Sequence, residues 1–136
     1  MTNTGKQPNF INPPTMSTPN GYTHVVETFG GRTIYVAGQI ALNLDGQVVG
    51  LGDASLQAEQ VFKNLEAALV AVGAGFDNVV KLTFYMIDMA DFPAIRKVRD
   101  RFVNTSRPPA STALQIGALA ADSFLLEIEA IAVLDS

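Results

Sequence analysis

The sequence has no cysteine and a single histidine among its 136 residues. Without cysteine the chain has no disulfide bond, no thiolate zinc site and no cysteine nucleophile. The one histidine, His24, cannot form a histidine-rich metal cluster, and an ordinary serine–histidine pair would have to use it as the base. We therefore expect no protein-bound metal.

Charge is also scarce, and its balance is slightly negative. Charged residues make up 16% of the chain, hydrophobic residues 48%, and the formal net charge is -4. The lysines and arginines are not clustered, which disfavours binding to nucleic acid through phosphate neutralisation. So few charges on a small protein suggest that other subunits cover part of its surface.

Long apolar stretches are missing as well. No run of roughly 18 apolar residues occurs, and no apolar signal segment follows the first residue. We therefore expect a cytoplasmic protein without a membrane segment. The length predicts one domain. Residues 1–20 are rich in Asn, Pro and Thr, so we interpret them as an extended arm, flexible over residues 1–11, and we place a single domain at 12–136.

Short apolar runs separated by turn residues predict strands in the first third of the domain. Residues 24–29 and 33–38 have the pattern of a hairpin across Gly30 and Gly31, and residues 41–49 that of a further strand pair across Asp45 and Gly46. Helical periodicity then runs from Ser55 to about residue 72.

The second half predicts a strand at 79–87, a helix from Asp91 that ends before Arg107, and strands at about 111–119 and 124–134. The predicted order is β-β-β-α-β-α-β-β, in which two helices can cover only one face of a sheet. The last strand is largely apolar on both faces, so the uncovered face needs a partner. The pattern therefore predicts self-association.

Several segments, in this order and spacing, resemble the Rid family (reactive intermediate deaminase, YjgF-type, also described as L-PSP endoribonuclease-like) from about residue 12 to the end. The segments are N12-P-P, P19-N-G-Y-T-H, V36-A-G-Q, L44-D-G-Q-V-V-G, N64-L-E-A-A-L, D77-N-V-V-K-L, D88-M-A-D-F, P109-A-S-T and L126-E-I-E-A-I-A. The resemblance implies a chorismate-mutase-like α/β (α+β) fold, with one mixed sheet and two helices on one face. It also implies a homotrimer whose three clefts between subunits hydrolyse 2-imino or enamine acids to 2-oxo acids and ammonia, without a metal or organic cofactor.

The resemblance also reveals one departure. The family motif P-A-R-[ST] holds the ligand carboxylate with its arginine, but this chain has Ser111 at that position, and Gln115 and Ile116 exclude a shift that would bring Arg107 there. A bidentate arginine–carboxylate contact consists of charge-assisted hydrogen bonds worth ~1.5–3 kcal/mol each. Carboxylate binding without it should be weaker by roughly tenfold to a few hundredfold.

Two charged residues are the main candidates for a role in the cleft. Arg96 lies where the family motif D-F-x-x-[VI]-N has its asparagine, so it either supplies the missing positive charge or is a solvated helix arginine. Glu127 matches the family glutamate that orients the attacking water; the alternative is a carboxylate that forms an ion pair across a subunit interface. Glu129 points the same way by strand alternation, and we interpret it as structural.

Three further residues match cleft positions of the family. Tyr22 matches a tyrosine at the cleft mouth, or it is a core or interface residue. Gly38 matches a glycine that approaches the ligand, or it marks a bulge at a strand end. Ala113 lies where relatives often have cysteine and can offer only backbone groups, and His24 is interpreted as a hydrogen-bonded structural residue.

Three functions follow as hypotheses. The first is a homotrimeric hydrolase that deaminates a small imine or enamine with altered specificity. The second is a trimer that binds a small metabolite without catalysis, and a carboxylate is the candidate chemical class. The third, ribonuclease or translation-inhibitor activity, ranks last because the acidic balance gives no phosphate-tracking surface.

Overall fold

A four-stranded mixed sheet carries both helices on one of its faces. The structure is a computed structural model that describes residues 7–135. In chain order the strands and helices are β1 (Asn9–Ile11), β2 (Val25–Glu27), β3 (Arg32–Gln39), α1 (Ala54–Val70), β4 (Val79–Met86), α2 (Phe92–Arg99), β5 (Ala110–Gln115) and β6 (Leu126–Leu134). The sheet has the order β3-β6-β4-β5, in which only β4 and β5 are parallel, and β1 and β2 form a separate pair. The α+β class is confirmed, and so is the predicted order of elements from α1 onward.

Strict alternation in β4 and β6 separates the two faces of the sheet. Leu82, Phe84 and Met86 of β4, and the alternate residues of β6 from Leu126 to Ala132, are buried under the helices. We call this side the helix face. The opposite side, the open face, carries the side chains of Tyr35, Lys81, Thr83, Tyr85, Thr112, Leu114, Glu127, Glu129 and Ile131. Neither helix covers it.

The first helix, α1, forms where the sequence predicts it because both of its ends carry strong signals. The carboxylate of Asp53 accepts a hydrogen bond of 3.1 Å from the Leu56 amide, which caps the first turn. At the other end Gly73 has a φ of 77°, and the Ala74 amide donates to the Leu69 carbonyl at 2.8 Å. The buried stripe of α1 is Ala58, Val61, Phe62, Leu65 and Leu69.

The second helix, α2, is shorter than predicted. It has Pro93 in its first turn and buries Ile95, Val98 and Arg99, but it ends at Arg99 rather than just before Arg107. The residues after it continue as turns, in which the Phe102 amide donates to the Arg99 carbonyl at 2.9 Å. Phe102 still packs into the core, where its ring stacks on Phe62 at 5.3 Å.

The predicted hairpin across Gly30 and Gly31 is wrong in its pairing. Both glycines have the expected positive φ, but β2 pairs with β1, and β3 pairs with β6. The reason is that β6 is long and apolar, so pairing β3 with it buries more surface than pairing β3 with the short, exposed β2. The strand pair predicted at 41–49 shrinks to one bridge, between Leu42 and Val48.

The three strands before α1 are therefore not the three that the sequence predicts. The number of strands before α1 is still three, because β1 forms within the arm predicted to be flexible over residues 1–11 while the strand pair predicted at 41–49 is lost. Residues 1–6 lie outside the described residues. The boundary between arm and domain at residue 12 stays a prediction.

A buried glutamine joins α1 to two loops, and its replacement gives a test of the packing. The fully buried Gln57 donates to the carbonyls of Gly50 and Ser123 at 3.1 and 2.8 Å and accepts from the Leu125 amide at 2.9 Å. Gln57→Leu leaves these backbone groups unpaired, so we expect a loss of about 3 kcal/mol in unfolding free energy. Urea denaturation at fixed protein concentration measures it.

The matched control for this prediction is Gln60→Leu, one turn away on the same helix. Gln60 makes a single hydrogen bond, 2.8 Å long, to the Asn64 side chain, so its loss should cost about 1 kcal/mol or less. Equal effects of the two substitutions would contradict the role given to Gln57.

Candidate functional site

The last strand, β6, presents two carboxylates on the open face. Glu127 pairs with Tyr85 and Glu129 with Thr83 in the register between β6 and β4. Paired residues share a face of the sheet, so both glutamates lie on the side that the helices leave uncovered. The prediction that they point the same way is confirmed.

The carboxylate of Glu127 lies against the backbone of Gly38. The register between β3 and β6 shifts between Val36 and Gln39, so Gly38 lies in a bulge. A Cβ atom on Gly38 would overlap the Oε2 atom of Glu127 and would lie 2.7 Å from its Cδ atom. Gly38 does not have a positive φ, so the reason for glycine is the room it leaves for this side chain.

Glu129 has a different environment from Glu127. The phenol of Tyr85 donates a 2.7 Å hydrogen bond to Oε1 of Glu129. This hydrogen bond raises the pKa of Tyr85 above its ordinary value, and burial and the charges of Glu129 and Glu127 add to the shift. Glu129 is thus held by a neutral donor from its own protomer, whereas Glu127 has no such donor among the described residues.

No lysine or arginine in the described part of the chain forms an ion pair with either glutamate. The nearest cation on the open face is Lys81, which donates to the Thr112 hydroxyl at 2.6 Å. A hollow of about 140 Å³ on the open face is lined by Tyr35, Lys81, Thr83, Glu129 and Ile131 among others. Within residues 7–135, therefore, Glu127 is an unpaired carboxylate on an uncovered surface.

Ser111 lies on the other face of the sheet. It pairs with the buried Leu82 across β4 and β5, and Ala113 pairs with Phe84. Ala113 packs against the core, so only its backbone could contact a ligand. Because β4 separates β5 from β6, a serine at 111 cannot reach Glu127 of its own protomer.

Tyr22 lies in a segment that forms hydrogen bonds both with α2 and with the residues just before β5. We call residues 20–23 the strap. At one end Thr23, which is buried, donates two hydrogen bonds: its amide donates to the Pro109 carbonyl at 3.2 Å and its hydroxyl to the Pro108 carbonyl at 2.5 Å. At the other end Arg96 donates to the Asn20 carbonyl at 3.3 Å. The strap therefore places Tyr22 beside the strand that carries Ser111.

Arg96 itself is held in a definite orientation. Its guanidinium lies 5.6 Å from the centre of the Phe92 ring, and its Nη2 atom is 2.8 Å from where a Cβ on Gly21 would be. Gly21 has a φ of 81°. Arg96 therefore contacts both the strap and Phe92 of its own helix, and its role in a cleft stays a prediction.

Arg107 and His24 are occupied elsewhere. Arg107 lies over the ring of Phe10, which belongs to β1, at 4.5 Å from the ring centre. His24 donates from Nε2 to the Ser17 carbonyl at 2.7 Å, and its amide donates to the Asn12 side chain at 2.8 Å. Its interpretation as a hydrogen-bonded structural residue is confirmed.

The candidate residues thus fall into two groups on opposite faces. Glu127 and Gly38 form one on the open face. Ser111 lies on the helix face, and the strap links Arg96 to the residues just before β5. Sequence reasoning missed three contributors: Tyr85, Gly21 and Arg99. The pairing of Tyr85 with β6 and the contact of Gly21 with two arginines are non-local, although the i, i+3 spacing of Arg96 and Arg99 was visible.

Residues 7–135 contain neither a metal-binding cluster nor a membrane-spanning helix. No group of three or more histidine or acidic side chains in this part of the chain is arranged to hold a metal ion. Neither of the two helices described is long and apolar enough to cross a lipid bilayer.

Comparison with known proteins gives consistent matches over most of the chain. A family model described as Endoribonuclease L-PSP matches residues 14–134. The mouse 2-iminobutanoate/2-iminopropanoate deaminase is 43% identical over 103 residues, which is 75% of this chain and 74% of the relative. Protein DfrA of Myxococcus xanthus is 38% identical over 112 residues, or 82% of this chain and 84% of the relative.

Solved structures agree with this match. The crystal structure of YyfB from Yersinia pestis, a protein of the Rid family, superposes with a TM-score of 0.82 and 36% identity over 93% of this chain and 98% of that one. The crystal structure of TdcF from E. coli with bound serine has a TM-score of 0.67 and 29% identity, over 78% of this chain and 83% of that one.

The packing of Glu127 on Gly38 gives a test by double-mutant cycle. Gly38→Ala forces the new Cβ into the carboxylate, so we expect a loss of about 1–3 kcal/mol in unfolding free energy. Glu127→Ala should remove most of that loss, because the two side chains then no longer collide. Gly117→Ala is the control, since nothing lies within 4 Å of a Cβ there. Additive effects of the two changes would contradict the contact.

The bond between Tyr85 and Glu129 predicts a titration. Because the folded-state pKa of Tyr85 is raised, the stabilisation from this bond is complete below the ordinary tyrosine pKa and is lost as the pH rises through the raised value. Glu129→Gln should bring the phenol pKa back toward its ordinary value. Phenolate absorbance against pH measures this, with Tyr85→Phe to assign one of the three tyrosines. An unchanged titration in Glu129→Gln would refute the assignment.

Proposed function

This chain belongs to the Endoribonuclease L-PSP family, the family of the Rid proteins, and on that premise we propose that it hydrolyses a small imine or enamine to a carbonyl compound and ammonia. The activity named for the mouse relative, 2-iminobutanoate/2-iminopropanoate deaminase, supports this reaction class. The family match covers nearly the whole described chain, so the proposal concerns the entire domain. The reaction takes place in the cytoplasm and needs neither metal nor organic cofactor.

The observation that supports the reaction most directly is the position of Glu127. Its carboxylate lies against Gly38 on the open face and has no ion-pair partner among the described residues. The neighbouring Glu129, in contrast, accepts a hydrogen bond from Tyr85. A carboxylate in this state can accept a proton from water. The water oxygen then bonds to the imine carbon and the nitrogen takes up this proton, which gives a carbinolamine. Glu127 next accepts the hydroxyl proton of the carbinolamine and passes it to the nitrogen, so that the carbon–nitrogen bond breaks, ammonia leaves and the hydroxyl oxygen becomes the carbonyl oxygen.

The proposed enzyme is a homotrimer with its clefts between subunits. Support comes from the open face, where Tyr35 is 78% exposed in the isolated protomer and Ile131 is half-buried. The separation of Ser111 from Glu127 gives a second argument. A cleft that uses both residues requires the Ser111 side of one subunit to meet the Glu127 side of another.

A second function is favoured by one observation, the serine at position 111. Without the family arginine the cleft loses its bidentate carboxylate contact, so the chain would bind a small metabolite without turning it over. The TdcF structure with bound serine supports the general idea that this fold holds small metabolites. We rank this function behind the deaminase because Glu127 is retained and unpaired.

The test is ammonia release from 2-iminobutanoate generated in situ by an amino-acid oxidase. We expect the wild-type protein to accelerate release and Glu127→Gln to lower kcat by roughly 10²–10⁴-fold, because the amide cannot accept the proton from water. Glu66→Gln, an exposed change of the same charge on α1, is the control and should leave kcat unchanged. Light scattering should give three times the chain mass of 14.5 kDa in all three proteins.

Two results would overturn parts of this proposal. Full activity in Glu127→Gln would remove Glu127 as the base. No acceleration by the wild type, together with activity in Ser111→Arg, would favour the non-catalytic binding function for the native chain.

A further inference from the structure

Two arginines of α2 converge on one point of the strap. Arg96 and Arg99 each place an Nη2 atom 2.8 Å from the position that a Cβ on Gly21 would occupy. The two Nη2 atoms are therefore no more than twice that distance apart. Gly21 has no side chain to separate them, and its φ of 81° turns the strap over the pair. We call Arg96 and Arg99 the arginine pair.

The charges of the arginine pair are not balanced within the described residues. The Arg99 side chain is only 5% exposed, and its Nε and Nη2 atoms both donate to Oδ1 of Asp100, at 3.0 and 2.8 Å. Arg96 has no carboxylate partner and donates to the Asn20 carbonyl. The two guanidiniums thus have a single carboxylate partner between them, which contacts only Arg99, and like charges this close repel each other unless an anion lies near them.

Arg96 also has unused hydrogen-bonding capacity in a fixed orientation. A guanidinium carries five N–H donors, of which the contact with Asn20 uses one. The ring of Phe92 supports one side of the group and the strap the other. A pre-oriented planar fork with free donors matches the geometry of a carboxylate.

The position of Arg96 relative to the sheet brings it level with Ser111. Phe92 packs against Phe84 at 5.6 Å, and Phe84 pairs with Ala113. A helix between two parallel strands runs antiparallel to them, so α2 leads back from the C-terminal end of β4 toward its N-terminal end. Arg96 lies one helical turn of about 5.4 Å beyond Phe92, which corresponds to about two residues back along the strand. That is the level of Leu82 and its partner Ser111, on the same face.

We propose that the arginine pair is the anion site of this cleft and binds the carboxylate of a 2-imino or 2-oxo acid in place of the arginine that Ser111 replaces. Arg96 makes the direct contact. Arg99 is a positioning residue. Together with Asp100 and Gly21 it fixes the strap, and its charge adds to the positive potential at Arg96. The substrate class is therefore still an acid, recognised from α2 instead of from β5. This inference rests on the proposed function for the identity of the acid.

The test is direct binding of 2-oxobutanoate to the full chain, followed by calorimetry or NMR. We expect Arg96→Gln to weaken binding roughly tenfold to a hundredfold, the loss of one to two charge-assisted hydrogen bonds, and Arg96→Lys to restore part of it. Lys97→Gln removes the same charge from the exposed neighbour on the same helix and should leave the affinity unchanged. Butanone, which lacks the carboxylate, should not compete.

Three outcomes would overturn the inference: equal affinity in wild type and Arg96→Gln, equal losses in Arg96→Gln and Lys97→Gln, or tighter binding of inorganic phosphate than of 2-oxobutanoate. The titration does not depend on catalysis, so it decides the inference even where ammonia release fails. Where ammonia is released, Arg96→Gln should raise KM while kcat stays unchanged, because the contact is equal in ground and transition states. Active enzyme with an unchanged KM would refute the arginine pair and leave the deaminase standing.

Discussion

The register of β6 between β3 and β4 is the constraint on which the rest of the structure depends. Its period-two alternation sends Leu126, Ile128 and Ala130 into the core and leaves Glu127 and Glu129 on the open face. A slip of one residue would exchange these sets and place two carboxylates under the helices, at a large cost in desolvation. One strand thereby builds the core and presents the candidate base.

The bulge at the end of β3 completes the environment of that base. It brings Gly38 under the Glu127 carboxylate, and the lack of a Cβ is what lets the side chain lie there. Tyr85 holds Glu129 with a neutral donor, whereas Glu127 has no hydrogen-bond donor among the described residues. The two glutamates can therefore have different roles although they are chemically identical and only two residues apart.

The other candidate residues lie away from the open face. Ser111 gives β5 a neutral side chain on the helix face, and α2 carries the arginine pair. The strap connects these regions because Thr23 binds the segment before β5 while Asn20 and Gly21 contact Arg96. The strap thus links the arginine pair on α2 to the residues that lead into β5 and Ser111.

Local patterns predicted α1, β4 and the alternation of β6 correctly because each is encoded over a short stretch: a cap at Asp53, a glycine at 73, a run of branched residues from Val79. They failed to predict which strands pair with β2 and β3, because Gly30 and Gly31 can turn the chain without deciding which strands pair. Pairing is a competition between distant segments, and β6 outcompetes β2 for β3.

The sequence by itself determined the family, the order of the elements from α1 onward, the shared side of Glu127 and Glu129, and the absence of arginine at position 111, since all of these are matters of order, period and identity along the chain. Only the tertiary structure decided that Ser111 and Glu127 lie on opposite faces, that Gly38 makes room for a carboxylate, and that Arg96 and Arg99 meet at Gly21. Those contacts join residues from separate elements, and their geometry depends on how the sheet, the strap and α2 pack together.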